Sequence, residues 1–246
     1  MIKALKRLAG LAGKQNQPEL VASLRDEWGL MQVIDTATTR SLYFNTLVEQ
    51  SRQFLQAPMT LGFAYQQCLF DQIMAFAQAQ SEPPSICMLG VGGGTLATHC
   101  HLALPTSPQT LVDVRAGVFE VAHAYFGLPQ TSMIDTQVQE AQAFVLQTHQ
   151  AISSPSPKTQ AGFDIWVLDL YDQHTMPAAF SQPPFLGTLA ECVQAPGLVL
   201  FNLWRGNAKA TAQVIEFWEQ QPGFRVTTHP TEHTGNIILA AQALPC

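Results

Sequence analysis

Asp169 and Asp172 stand three positions apart in "VLDLYD", just beyond a run of apolar residues that reads as a buried strand. Two carboxylates that turn toward one cleft at a strand end can hold a cation and accept a proton from it. An amine with a pKa of about 10 is mostly protonated at neutral pH, so an amine nucleophile needs such an acceptor. Asp113 closes an earlier strand-like run, "TLVDV", where a carboxylate can accept hydrogen bonds from both hydroxyls of a ribose. Glu140 follows a third such run, where the edge of an adenine would lie. Spacing alone leaves a plainer account open: Asp113 facing solvent in a turn, and the 169/172 pair as one buried cap and one solvated carboxylate.

The other chemical signal is "ICMLGVGGGTLATH", with Gly90, Gly92, Gly93 and Gly94 separated only by Val91. Three ligand types compete for a loop this bare. A triphosphate loop needs Gly-Lys-Ser/Thr after the glycines, and that is absent. A dinucleotide loop wants G-x-G-x-x-G/A. Starting from Gly90 and Gly92 the third position is Thr95, whereas Gly92, Gly94 and Ala97 fit. The third type is S-adenosylmethionine or a relative, whose amino-acid and ribose portions need close backbone approach but no phosphate cradle. Asp113 suits a nicotinamide dinucleotide and an adenosylmethionine equally.

These residues need a scaffold, and the pattern supplies one. "MQVIDT" and "RSLYFNTLV" read as two short strands of a small N-terminal sheet, and 61–80 as an amphipathic helix broken by "SEPPS". Strand and helix patterns then alternate: strands at "ICMLGV", "TLVDV", "SMIDTQV", "FDIWVLDL" and "GLVLFNLW", and helices at 96–104, 116–128, 140–152, 183–195 and 207–221. "FRVTTHP" and "NIILAAQA" lie too close for a parallel crossover, so they pair antiparallel. The expectation is an α/β protein: residues 1–60 as an N-terminal helix and small β-region, and 61–246 as a mostly parallel sheet covered on both faces, ending in an antiparallel hairpin. The Pro/Ser-rich 153–160 is a loop inside that domain.

Hydrophobic residues make up 47% of the 246 and charged residues 12%, enough for a sizeable core. The net charge of −6 argues against nucleic acid and would suit a cationic substrate. The five cysteines form no CxxC pair, which points to buried thiols in a reducing, cytoplasmic setting rather than disulfides or a zinc site. No apolar run reaches the roughly 18 residues of a membrane span. The basic segment "MIKALKRLAGLAGKQ" reads as a surface helix or tail rather than an anchor or secretory signal. His99 and His101 point apart on a helix, so no metal is expected there. His174 reads as a loop residue near the cleft, and His229 and His233 as surface residues. Trp166, Phe201, Trp204 and Trp218 read as core or edge-of-core aromatics.

Together "RSLYFNTLVEQS", "FAYQQCLFDQI", "MLGVGGGTL", "LVDV", "VFEVAHAYFGLP", "FDIWVLDLYD" and "PGLVLFNLW" resemble the spermidine synthase family of aminopropyltransferases, over about 33–241. The resemblance implies a Rossmann-like domain of the class I methyltransferase type behind a small β-domain, paired as a homodimer. It implies transfer of an aminopropyl group from decarboxylated S-adenosylmethionine to a small amine. In that pattern the glycines approach the donor and Gln50 meets its side chain, Asp113 binds the ribose, and Glu140 with Ala141 the adenine. Tyr65 and Gln66 line the amine channel, Asp169 accepts the proton and Asp172 helps to bind the amine. The sequence departs from the family where Gly93 replaces an Asp, where "APMTLGFAY" lacks acidic residues before the channel Tyr, where Asp172 is followed by Gln173 instead of Pro, and where Arg115 replaces an Asp. Each substitution of a carboxylate removes negative charge from the amine-binding region. An Asp at position 93, about 4 Å from the carboxylate of intact S-adenosylmethionine, would repel it by about 1–4 kcal/mol. The leading expectation is therefore a transferase of this type using decarboxylated or intact S-adenosylmethionine, with no metal. A methyltransferase, a non-catalytic adenosyl-nucleoside-binding or dimerisation module, and, last, a nicotinamide-dependent reductase are the alternatives.

Overall fold

The structure is a computed structural model that describes residues 17–154, 162–172, 175–232 and 235–245. The expected N-terminal helix, most of the loop at 153–160, His174, His233 and Cys246 lie outside the described residues. Five strands come first: β1 (Glu19–Asp26), β2 (Gly29–Asp35), β3 (Thr39–Phe44), β4 (Glu49–Phe54) and β5 (Ala57–Leu61). They pair in sequence order as an antiparallel meander. Two strands were expected here, and the pattern hides the others for a physical reason. In β4 only Ser51 is buried, and β5 is almost wholly exposed, so neither shows an apolar alternation. Residues 40–48 are not one strand, because Asn45 adopts a left-handed conformation (φ 54°) that ends β3.

Helix α1 (Ala64–Gln78) leads into the second sheet. That sheet has seven strands, β6 (Ile86–Leu89), β7 (Gln109–Asp113), β8 (Ile134–Val138), β9 (Phe163–Leu168), β10 (Val193–Trp204), β11 (Phe224–Pro230) and β12 (Asn236–Ala243), in the order β11-β12-β10-β9-β6-β7-β8. From β8 through to β10 the pairing is parallel, and β12 runs antiparallel to both β10 and β11. This is the mostly parallel sheet with an antiparallel C-terminal hairpin that the alternation of elements demands. Its helices are α2 (Thr95–Ala103), α3 (Ala116–Tyr125), α4 (Ala141–Ser153), α5 (Pro183–Cys192) and α6 (Ala208–Glu219). Helix α5 stops three residues short of the expected end, because Val193 already pairs with Phe163 and opens β10.

The sheet is buried on both faces. Leu69, Ile73, Leu96, Phe119 and Ala122 of α1–α3 pack on one face, and Val145, Leu186, Leu189, Val214 and Trp218 of α4–α6 on the other. Trp166, Phe201 and Trp218 are fully buried, as read, whereas Trp204 is 40% exposed at the end of β10. A third cluster joins the two sheets: Met31, Val33 and Leu42 pack against Val118 and Val121 of α3 and against Phe126. His99 spans the same junction, its ring nitrogens 2.7 Å from the Thr95 carbonyl and 2.9 Å from the Met59 carbonyl. The described cysteines, Cys68, Cys87, Cys100 and Cys192, are free. No described helix is long and apolar enough to cross a membrane.

Candidate active site

The carboxyl ends of β6, β7, β9 and β10 meet the β3–β4 segment of the first sheet around a cleft of about 910 Å³. Strand ends in an open parallel sheet are where such a cleft forms, since the helices leave the sheet there. The glycine loop is bare largely for packing reasons. Gly90 has φ +85°, and a Cβ on it would lie 2.2 Å from the Asp169 carbonyl, so the ends of β6 and β9 touch only because it has none. A Cβ on Gly93 would sit 2.9 Å from the Ser51 side chain and 3.1 Å from the Phe126 ring. Gly90 and Gly92 line the cleft; Gly93 and Gly94 lie behind its wall, Gly93 against Ser51 and Phe126 and Gly94 against Leu128.

Most N–H groups of the loop are already spent. Gly90 donates to Val112 O (2.9 Å), Val91 to Asp113 Oδ2 (3.1 Å), Gly93 to Ser51 Oγ (2.7 Å) and Gly94 to Val91 O (2.9 Å). The Gly92 N–H also faces the Asp113 carboxylate. From Gly90 to Gly94, four of the five backbone donors therefore have an acceptor inside the protein, and the fifth, Gly92, faces the Asp113 carboxylate. A loop that cradles phosphate or carboxylate works by presenting free N–H groups, and four of the five here are already taken.

Asp113 also accepts from the Arg115 N–H through Oδ1 (3.0 Å). Burial pushes its pKa up, and the backbone donors of Arg115 and Val91 offset part of that rise. Each carboxylate oxygen retains lone-pair capacity for a further donor. Arg115 itself is buried and turned to the first sheet. Its guanidinium donates to both Asp26 oxygens at 2.9 Å, reaches the Gly29 carbonyl at 3.2 Å, and lies 4.6 Å from the Phe44 ring centre. Glu140 is the N-cap of α4 and accepts from the Ala143 N–H through Oε2 (2.8 Å), with its carboxylate exposed on the cleft wall next to buried Ala141.

A chain of polar side chains runs behind the cleft floor. Tyr65, at the start of α1, donates to Asp169 Oδ2 (3.1 Å), and Asn202 of β10 donates to Asp169 Oδ1 (2.8 Å). Asn236 of β12 donates in turn to Asn202 Oδ1 (2.8 Å). Burial raises the Asp169 pKa, and the hydrogen bonds from Asn202 and Tyr65 counter it in part. Burial, followed by the neighbouring Asp169 charge, holds the Tyr65 hydroxyl far above its ordinary range, so it remains a donor. Gln66 gives its amide to Thr95 Oγ1 (3.1 Å), while its buried Oε1 has no hydrogen-bond partner among the described residues. A buried acceptor left open beside a cleft is the atom a ligand N–H would satisfy. Asp172 is exposed on the cleft and accepts from the Thr175 N–H (2.8 Å). Gln50 lines the cleft from β4, its amide 3.4 Å from the Val48 carbonyl.

One cleft thus gathers Gln50, Tyr65, Gln66, Gly90, Gly92, Asp113, Glu140, Ala141, Asp169 and Asp172, and leaves Gly93 and Gly94 behind its wall. Sequence reasoning missed Ser51, Asn202, Asn236 and Trp28, and the clasp between Arg115 and Asp26. Among the described lining residues the carboxylates are Glu49, Asp113, Glu140, Asp169 and Asp172, and Arg115 is the lone Lys or Arg. No three described His, Cys, Asp or Glu side chains are grouped to hold a metal ion.

No protein-family model matches the chain. A polyamine aminopropyltransferase of Neisseria meningitidis is 24% identical over 218 residues, 87% of this chain and 76% of that protein. Among solved structures, a probable spermidine synthase from Corynebacterium glutamicum superimposes with a TM-score of 0.73 at 20% identity, covering 91% of this chain and 80% of that one. Human methyltransferase-like protein 13, in complex with SAH, gives a TM-score of 0.61 at 19% identity over 72% of this chain and 82% of its own. The likeness to the polyamine aminopropyltransferases runs along most of the chain, and the fold is that of the spermidine synthases and methyltransferases.

Proposed function

We propose that the chain is a transferase that moves an aminopropyl group from decarboxylated S-adenosylmethionine to a small amine. The observation that carries this reading is the distribution of donors and charge. Four of the five N–H groups from Gly90 to Gly94 are hydrogen-bonded within the protein, and among the described residues the lone lining Lys or Arg is bound to Asp26. Among the described residues a ligand carboxylate or phosphate finds no uncommitted Lys or Arg there. A sulfonium and an ammonium find Asp113, Asp169, Asp172 and the open Gln66 Oε1.

The donor, when bound, supplies a carbon beside a sulfonium that an amine lone pair can attack. Asp113 holds the ribose hydroxyls with the lone pairs its backbone contacts leave over. Glu140 and Ala141 border the adenine, and Gln50 meets the side chain of the donor. Gln66 Oε1 and Asp172 accept hydrogen bonds from amine groups. Asp169, raised toward neutrality by burial, takes the proton that the acceptor must lose. Tyr65 and Asn202 fix the plane of that carboxylate by donating to its two oxygens.

A methyltransferase on the same scaffold is the second reading, favoured by the likeness to the human protein solved with SAH. It would bring the carboxylate of intact S-adenosylmethionine into an anionic cleft, a repulsion of about 1–4 kcal/mol per carboxylate at about 4 Å. The two readings differ in product. Incubation with decarboxylated donor and an amine should release methylthioadenosine. Formation of S-adenosylhomocysteine from the intact donor, with no methylthioadenosine from the decarboxylated one, would replace the first reading by the second.

A further inference from the structure

The acceptor end of the cleft is built unlike the donor end. Asn202, which holds Asp169, is followed two residues on by Trp204, so both side chains stand on the same face of β10, with Trp204 farther toward the open edge. Trp204 is 40% exposed and lines the cleft. The ring is held in place from both sides. A Cβ on Gly206 would lie 2.5 Å from it, and one on Gly235 would lie 3.4 Å from Nε1. Tyr171, Pro177 and Phe180, from the segment after β9, line the same cleft. Apart from Asp169 and Asp172, no residue that β9, β10, β12 or the segment after β9 contributes to the cleft is a carboxylate.

A linear diamine places an ammonium at each end. The reacting end would meet Asp169 and Asp172, and a far end seated toward Trp204 would meet no further carboxylate from β10, β12 or the described residues after β9. Burying a charge without a partner is unfavourable, whereas burying an apolar body against the same surface is favourable. Resting on the aminopropyl-transfer reading above, we infer that the acceptor is a monoamine. Its other end is an uncharged aromatic or aliphatic body seated on Trp204. The ammonium of this acceptor gives one proton to Asp169. The freed lone pair forms the nitrogen–carbon bond to the propyl carbon of the donor as the carbon–sulfur bond breaks. That electron pair stays on sulfur, so the products are a secondary ammonium and a neutral thioether.

The test uses the full chain with decarboxylated S-adenosylmethionine and three acceptors: putrescine, n-hexylamine and phenethylamine. Methylthioadenosine release measures turnover. Calorimetry with methylthioadenosine present measures amine binding. The expected result is a kcat/KM for phenethylamine and hexylamine at least tenfold above that for putrescine, with Trp204→Glu reversing the order. Trp204→Ala should raise KM for phenethylamine far more than it lowers kcat. Preference of the wild-type chain for putrescine, or a Trp204→Glu variant whose preference is unchanged, would overturn the inference. If no amine turns over but phenethylamine binds in a Trp204-dependent way, the monoamine subsite stands and the transfer reading falls. If phenethylamine neither turns over nor binds, the subsite is refuted directly.

Discussion

Replacing Asp169 by Asn separates its two effects, one on rate and one on stability. Asn has the same shape. Its carbonyl can still accept from Asn202, and its amide can meet the Tyr65 oxygen, so the contacts at 2.8 and 3.1 Å survive in altered polarity. What is lost is the proton acceptor. Removal of a positioned base costs about 10²–10⁴-fold in rate, or about 3–5 kcal/mol of barrier. The wild-type kcat/KM should fall on the acid side with an apparent pKa above the ordinary carboxylate range, because burial disfavours the ionised form. The variant should lack that limb. Stability moves the other way. The folded chain holds the Asp169 proton more tightly than the unfolded chain, so stability present below the ordinary value of 3.8 is lost as pH rises through the folded value. At neutral pH the Asn variant should therefore melt above the wild type, and the gap should close in acid. Methylthioadenosine release across a pH series and thermal melts at matched pH read both effects. A variant that keeps activity within about tenfold of the wild type, or that retains the acid limb, would refute the assignment of Asp169 as proton acceptor.

Asn202→Leu removes a donor that favours ionised Asp169, so the acid limb of the rate profile should move to higher pH while donor binding, read by calorimetry, stays close to wild type. Gly90→Ala puts a methyl 2.2 Å from the Asp169 carbonyl at φ +85°. Urea melts should show a loss of about 1–3 kcal/mol for the strained backbone, and activity should fall with it. Arg115→Ala strands Asp26 and should cost about 1–3 kcal/mol at neutral pH by the same measurement. Burial opposes the ionisation of Asp26, but its hydrogen bond and ion pair with Arg115 hold the pKa below the ordinary value. That stability is present above the unfolded pKa and lost as pH falls through the folded one, so the Arg115→Ala penalty should shrink in acid.

The second sheet was legible because burial writes itself into composition. β12 and β9 carry runs of buried apolar residues, and "FDIWVLDL", buried on both faces, reads as a central strand. The first sheet was half legible. β2 carries four consecutive buried residues and was seen, whereas β4, with Ser51 its lone buried residue, was not. That Asp113, Glu140, Asp169 and Asp172 line one cleft followed from their position at strand ends in the alternation. Those that act through distant partners did not: Arg115 finds Asp26 across 89 positions, and Ser51 finds Gly93 across 42. Asn202 did leave a signal, since a polar residue inside "GLVLFNLW" must find a buried hydrogen-bond partner, and Asp169 supplies it. Gly93 changes meaning most. As sequence it is a missing carboxylate that relaxes the choice of donor. In the fold it is a packing position against Ser51 and Phe126, and the satisfied N–H groups around it argue for the donor without a carboxylate.

Isothermal calorimetry of the full chain against decarboxylated and intact S-adenosylmethionine tests that account most directly, because the two differ only in the carboxylate, for which the described lining residues offer no uncommitted Lys or Arg. The decarboxylated form should bind with a Kd lower by about fivefold or more, as a repulsion of about 1–4 kcal/mol requires. Equal or tighter binding of the intact form would contradict it.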